Sequence, residues 1–225
     1  MLDFIFESPF NWGVETLSLL IVLVALEAVL SADNAIALAT LSQSLHNPKL
    51  ERRALNIGLA IAYGLRMLLI VSATWIIQFW QFELAGALYL LWLSWQYFAA
   101  KQVDQGNRSM TAKSLWQVIP LIAVTDLAFS LDSVTTAIAI SQDLWLILLG
   151  GTIGIVTLRF LAGLFIRWLE EFLHLEAAGY VAVALVGLRL LLRVVAPALV
   201  PPEWLMISLI AVIFAWGFSQ HRQRA

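Results

Sequence analysis

Seven apolar stretches of membrane-spanning length constrain the fold of this chain more than any other feature of its sequence. A hydrocarbon core of roughly 30 Å takes about 20 apolar residues per helix. On that template the spans are residues 17–41, 56–78, 84–100, 115–140, 144–167, 177–195 and 203–219. Backbone amides in lipid must find partners inside their own segment, so each stretch is expected to be a helix. Composition agrees, since 61% of the 225 residues are hydrophobic and 12% are charged. Soluble domains use roughly 45–50% and 25%. The net charge of -2, with Lys and Arg scattered, lacks the basic stripe that nucleic acid requires. With no cysteine, disulfides, thiolate metal sites and cysteine nucleophiles drop out. Met1 to Trp12 carries Asp3 and Glu7 and no basic residue, unlike a cleaved signal peptide, so the first segment is expected to remain in the mature chain.

Loop charge sets an expected orientation, because cytoplasmic loops retain Lys and Arg. Lys49, Arg52 and Arg53 follow segment one, Lys101, Arg108 and Lys113 follow segment three, and Arg222 and Arg224 lie in the tail. These regions are expected to be cytoplasmic and the amino terminus external, with Arg193 the exception to the bias. Trp12, Trp75, Trp80, Trp145 and Trp204 fall near the external ends, where interfacial aromatics anchor helices. Segment seven, bounded by Pro201 and Pro202, has no ionisable residue inside it and is expected to be peripheral.

The sequence also repeats itself. Residues 25–39 read ALEAVLSADNAIALA and residues 124–138 read VTDLAFSLDSVTTAI, which aligns Glu27 with Asp126, Ser31 with Ser130, Asp33 with Asp132 and Asn34 with Ser133 at an offset of 99. Gly58 and Arg66 align with Gly151 and Arg159, and Glu83 and Gly86 with Glu176 and Gly179, at an offset of 93. The chain is thus expected to form one transmembrane domain over 1–225, with repeat one at 17–100, repeat two at 115–195 and a peripheral helix at 203–219. An odd number of helices per unit places the second copy in the opposite sense across the membrane, a 3+3 inverted repeat of the kind transporters use to present a midplane site to either side.

The chemistry resides in the acids. Glu27, Asp33, Asp126 and Asp132 lie inside apolar runs, where an ionised side chain costs at least about 2.5–3.5 kcal/mol. Glu27, Ser31 and Asn34 share a helix face at i, i+4, i+7, as do Asp126, Ser130 and Ser133. Asp33 and Asp132 follow six residues later, roughly 120° around an ideal helix. Either the helix unwinds near Ser31-Ala32 and Ser130-Leu131 and turns these acids into the same cavity, or they cap a half-helix or bridge to a neighbour. The donors are carboxylate, hydroxyl, amide and carbonyl oxygens, and His46, His174 and His221 fall in loops or the tail. Such a set suits manganese, calcium or magnesium better than zinc or copper. Arg66 and Arg159 set two positive charges against four carboxylates, as structural bridges or as counter-charges that a metal displaces. Pro120, six residues before Asp126, is expected to kink segment four, while the span glycines have close helix packing as their default role.

The paired motif, Glu27-Ser31-Asp33-Asn34 with Asp126-Ser130-Asp132-Ser133, resembles the signature acids of the TerC family of integral membrane proteins over essentially the whole chain. TerC proteins are grouped with LysE-type exporters, and the resemblance implies metal-ion handling, chiefly manganese export, in a bacterial inner membrane or a thylakoid-type membrane. By the same resemblance Glu27, Asp33, Asp126 and Asp132 would bind the metal, with Asn34, Ser31, Ser130 and Ser133 as secondary positions. The function expected is export of a divalent cation, with possible proton coupling and no enzymatic activity. The alternatives are a membrane-protein assembly or metal-loading factor, and an exporter of a cationic amino acid. An intramembrane aspartyl protease fits poorly, because the Gly-x-Gly-Asp and Tyr-Asp motifs are missing. The oligomeric state is not legible.

Overall fold

The computed structural model describes residues 14–45, 47–76, 79–103, 114–141 and 143–221; within them the side chains of 14, 15, 26, 28–30, 32, 33, 74–76 and 101–103 lie outside the description. Among the described residues the chain forms seven α-helices: α1 Val14–Gln43, α2 Pro48–Ile76, α3 Trp80–Val103, α4 Leu115–Ile140, α5 Leu144–Glu171, α6 Leu175–Val195 and α7 Glu203–Gly217, with a 3-10 turn at Pro197–Leu199. Each predicted span falls on one helix. Four of them, α2, α4, α5 and α6, are long and apolar enough to cross a membrane. The 15 residues of α7 make a helix of about 22 Å, shorter than the others, and it packs chiefly on α6.

The most extensive packing joins α1 to α5, α2 to α4 and α3 to α6. Exchanging the first three helices with the next three carries α1·α5 onto α4·α2, leaves α3·α6 in place, and interchanges α3·α4 with α1·α6. Two elements are central. Every residue of α1 from Asn34 to Ser42 is buried, and 67% of the apolar window of α4 is buried, more than in α2, α5 or α6. A helix covered all round has to be apolar all round unless its polar groups find partners. That requirement falls on the motif residues.

The apolar side chains form two layers. The larger holds the second halves of α1 and α5, the first halves of α2 and α4, and much of α3 and α6, with Ile36, Leu55, Ile122, Leu158 and Val183 at its centre. The smaller, toward the other end, holds Leu23, Ile70, Val134, Ala137, Leu146 and Ile147. Glu27, Ser31, Arg66, Ser130 and Ser133 are buried in the stretch of sequence between them, and Asp126 is buried within the part of α4 that the larger layer spans. Close approach depends on glycine at particular places. A Cβ on Gly58 would lie 2.7 Å from Ile122 Cγ2, and one on Gly179 would overlap Ile36, whereas Gly64 has open space beside it.

Gly58→Ala is expected to lose about 1–3 kcal/mol through overpacking of α2 on α4, while Gly64→Ala leaves stability unchanged or slightly raised. Thermal unfolding of the two purified variants in detergent checks the contrast.

Candidate functional site

The helices that carry the acidic motifs are unbroken. α1 runs through Ser31-Ala32, and α4 runs through Pro120 and through Ser130-Leu131. The local unwinding offered as one way to turn Asp33 and Asp132 into a shared cavity is therefore not present, and with it goes the half-helix for either to cap. The i−4 backbone acceptors are instead served within the helix. Ser31 Oγ donates to the Glu27 carbonyl at 2.6 Å, and Ser130 Oγ donates to the Asp126 carbonyl at 2.8 Å. The two halves of the repeat thus use the serine four residues after the acid in the same way.

Arg66 of α2 reaches the centre of this layer. Its Nη1 lies 2.5 Å from Glu27 Oε1 on α1, its Nε donates to Ser130 Oγ at 2.8 Å, and its Nη2 donates to Ser133 Oγ at 3.1 Å on α4. The guanidinium is 1% exposed and Asp126 is fully buried. Asp126 accepts from Ser130 Oγ at 3.4 Å through Oδ2, and its Oδ1 has no hydrogen-bond partner among the described residues. One guanidinium is therefore paired directly with Glu27 and linked through Ser130 to Asp126, in a place water barely reaches. Asn34 is buried three residues beyond Ser31 on α1.

Glu27 can lie where it does because α5 presents glycine to it. A Cβ on Gly154 would overlap Glu27 Cγ and stand 3.0 Å from Oε1, and one on Gly151 would meet Ile70 and Met67 at 3.2 and 3.5 Å. Packing alone, the default role of these glycines in the sequence, understates Gly154. A narrow crevice descends through the smaller apolar layer past Leu23, Ile70, Ala137 and Ile147 to Glu27, Arg66 and Ser133, with Gly150 and Gly151 in its wall. It has room for about one water-sized species.

The remaining residues of the expected site lie elsewhere. Asp132 takes the bridging alternative: its Oδ2 lies 2.5 Å from Arg189 Nη1 and its Oδ1 2.5 Å from Arg193 Nη2, both on α6. Arg193 Nη1 is 3.7 Å from Glu83 of α3, and Arg189 Nη2 is 3.4 Å from Glu203 of α7. Among the described residues, no acid is paired with Arg159. It is half-buried on α5, and its Nε donates to Asn56 Oδ1 of α2 at 2.6 Å. The Asp33 side chain lies outside the described residues. Among those described, no three Asp, Glu, His or Cys side chains converge as a preformed metal site. Arg189 was missed in the sequence, although two arginines four residues apart in an apolar helix share a face and require acids opposite them.

Buried ion pairs of this sort, inside helices of spanning length, define an integral multi-pass helical membrane protein that carries charge within the bilayer. The chain belongs to the TerC family: residues 12–224 match the description of the integral membrane protein TerC family. It is 32% identical over 194 residues to the uncharacterized membrane protein YceF of Bacillus subtilis, covering 83% of this chain and 73% of that one. It is 32% identical over 196 residues to the uncharacterized membrane protein YkoY of the same organism, covering 79% of this chain and 60% of that one. The UPF0053 protein YegH of Escherichia coli is 29% identical over 161 residues, covering 64% of this chain and 30% of that relative. No solved structure matches the chain.

Removing one member of a buried ion pair strands the other, at a cost of about 3–5 kcal/mol. Arg66→Met is expected to destabilise by that amount, and Glu27→Gln in the same chain to restore at least about 1 kcal/mol. A double-mutant cycle of unfolding in mixed micelles measures this coupling, and additive effects would contradict the pair.

Proposed function

We propose that the protein is a transporter that exports a divalent cation, manganese foremost, through a site built on Glu27 and Asp126. The observation that carries this reading is a pair of buried carboxyl groups with a single guanidinium paired to one of them, Glu27, while Asp126 Oδ1 is left without a hydrogen-bond partner among the described residues. Such an oxygen is costly to bury unless something else occupies it part of the time. The donor set fits a hard cation, since carboxylate, amide and hydroxyl oxygens are at hand and thiolate is absent from the chain.

Two carboxylates and Arg66 sum to -1, whereas two carboxylates and a divalent ion sum to zero. In this reading the entering cation takes the place of the guanidinium beside the carboxyls, and with Arg66 still held by Ser130 and Ser133 the layer as a whole goes from -1 to +1. A proton carried by the acids when the metal leaves would balance the same deficit, which supplies a route for proton coupling. Asp132 stands outside the ligand set because both its oxygens are engaged by arginine. The family's grouping with LysE-type exporters and an inverted 3+3 repeat with a seventh, peripheral span belong to the same proposal. The symmetric exchange of helix packing supports the repeat.

The narrow crevice favours a dehydrated ion over a cationic amino acid, whose four-carbon stem needs more than the space of one water. Transport rather than proteolysis fits Asp126 and Asp132, because an aspartyl dyad shares a proton between the two carboxyls and here the second is taken by α6. A bacterial inner membrane is the location this reading assigns, in keeping with relatives from Bacillus subtilis and Escherichia coli.

Proteoliposomes holding a manganese-sensitive dye test the proposal. The intact chain is expected to admit Mn2+, and Glu27→Gln or Asp126→Asn to slow the initial rate at least about tenfold, the equivalent of 1.4 kcal/mol. Undiminished rates in both variants would overturn the assignment.

A further inference from the structure

The cluster around Asp132 is separate from the site on Glu27 and Asp126, and four helices meet there. We infer that Arg189 and Arg193 form an ion-pair latch that holds α4 to α6, and that release of Asp132 opens the seam between these helices during transport. The role in transport rests on the function proposed above; the latch itself does not.

Three observations carry the inference. First, α4 and α6 are not among the helix pairs that pack extensively, so the link between them is made by long side chains rather than by helix contact. Arg189 and Arg193 lie one turn apart on α6 and grip one carboxylate oxygen each, which fixes Asp132 from two points. Second, each arginine has another acid within reach. Arg193 faces Glu83, 18% exposed, and Arg189 faces Glu203, 46% exposed. Both contacts exist alongside the Asp132 pairs, so on release each arginine keeps an acid, and it is Asp132 that must exchange its arginines for a cation or a proton. A buried charge is otherwise too costly to strand. An exchange of this kind is what a bistable element requires.

Third, the latch is one-sided. At the offset of 93 that relates Glu83 to Glu176, the positions matching Arg189 and Arg193 are Gln96 and Ala100. Nothing at those two positions carries a charge, so the first repeat lacks the matching pair of arginines. The latch gathers the amino-terminal ends of α3 and α7 and the carboxyl-terminal half of α6. It thereby pins one end of the molecule while the other relies on the large apolar layer. Asp132, once freed, would face the seam as the carboxylate that a passing cation or a proton then neutralises.

The chain has no cysteine, so spin labels can be placed cleanly at Ala139→Cys on α4 and Val195→Cys on α6, which are both exposed. Pulsed electron resonance on the metal-free, detergent-solubilised protein is expected to give a single narrow distance distribution. Arg189→Gln with Arg193→Gln should add a longer-distance population, and Arg189→Lys with Arg193→Lys should return most molecules to the short one. Should the glutamine variant fail to give monodisperse protein, Asp132→Asn, which keeps side-chain volume and leaves both arginines their outer acids, is expected to show the same longer population. Distributions identical to the unsubstituted chain in the folded variant would overturn the latch. Because no metal is present, that result would leave the cation site on Glu27 and Asp126 standing. A longer population in a protein that does not transport Mn2+ would support the latch and overturn the transport reading.

Discussion

Everything at the centre of this molecule depends on one guanidinium. Arg66 enters from α2, pairs with Glu27 on α1 and donates to Ser130 and Ser133 on α4, so three helices meet at a single delocalised charge. Its planar fork suits the task, since it serves three acceptors in different directions with no loss of charge. The surroundings are arranged to permit it. Gly154 leaves space for Glu27, the serines bond back along their own helices, and apolar layers above and below keep water away. Take away the guanidinium and two carboxyl groups remain in a medium that cannot solvate them.

The sequence repeat is close to symmetric, but the use of charge is not. Glu27 and Asp126 occupy matched positions, and the serine after each makes the same backbone bond. Arg66 and Arg159 are also matched, yet the first pairs with Glu27 and bonds to the serine beside Asp126, and the second turns to Asn56. Asp132 in the second half is claimed by two arginines of α6, while the matching positions of α3 hold Gln96 and Ala100. In the proposed transport cycle this asymmetry distinguishes the two ends of the pathway, because the arginine pair of α6 has no counterpart at the matched positions of α3.

Much of this was legible beforehand. Apolar length placed each helix, and i, i+4, i+7 spacing correctly put Glu27 with Ser31 and Asp126 with Ser130 on inward faces, because helix geometry alone decides that. What helix geometry could not decide was the partner of an acid 120° off the stripe. Unwinding was one answer for Asp132; the other, a bridge to a neighbour, prevailed because the arginines on α6 are long enough to reach it without breaking α4. Arg193 looked like an exception to the loop-charge bias when it is a member of a buried cluster, and Arg189 was concealed inside an apolar run. Arg159 was assigned to the acids by its match to Arg66, but a matched sequence position carries no information about which rotamer the neighbours allow. The role of Gly154 depends on where Glu27 from another helix comes to rest, which no local pattern encodes.

The central claim is that Glu27 and Asp126 together hold a divalent cation in place of Arg66. Electron paramagnetic resonance during titration of the purified protein with Mn2+ tests it most directly, since free and bound Mn2+ give distinct signals. The account predicts a single tightly held Mn2+ per chain, lost when Glu27→Gln and Asp126→Asn are combined in a protein that still folds. The same bound population in that double variant would contradict it.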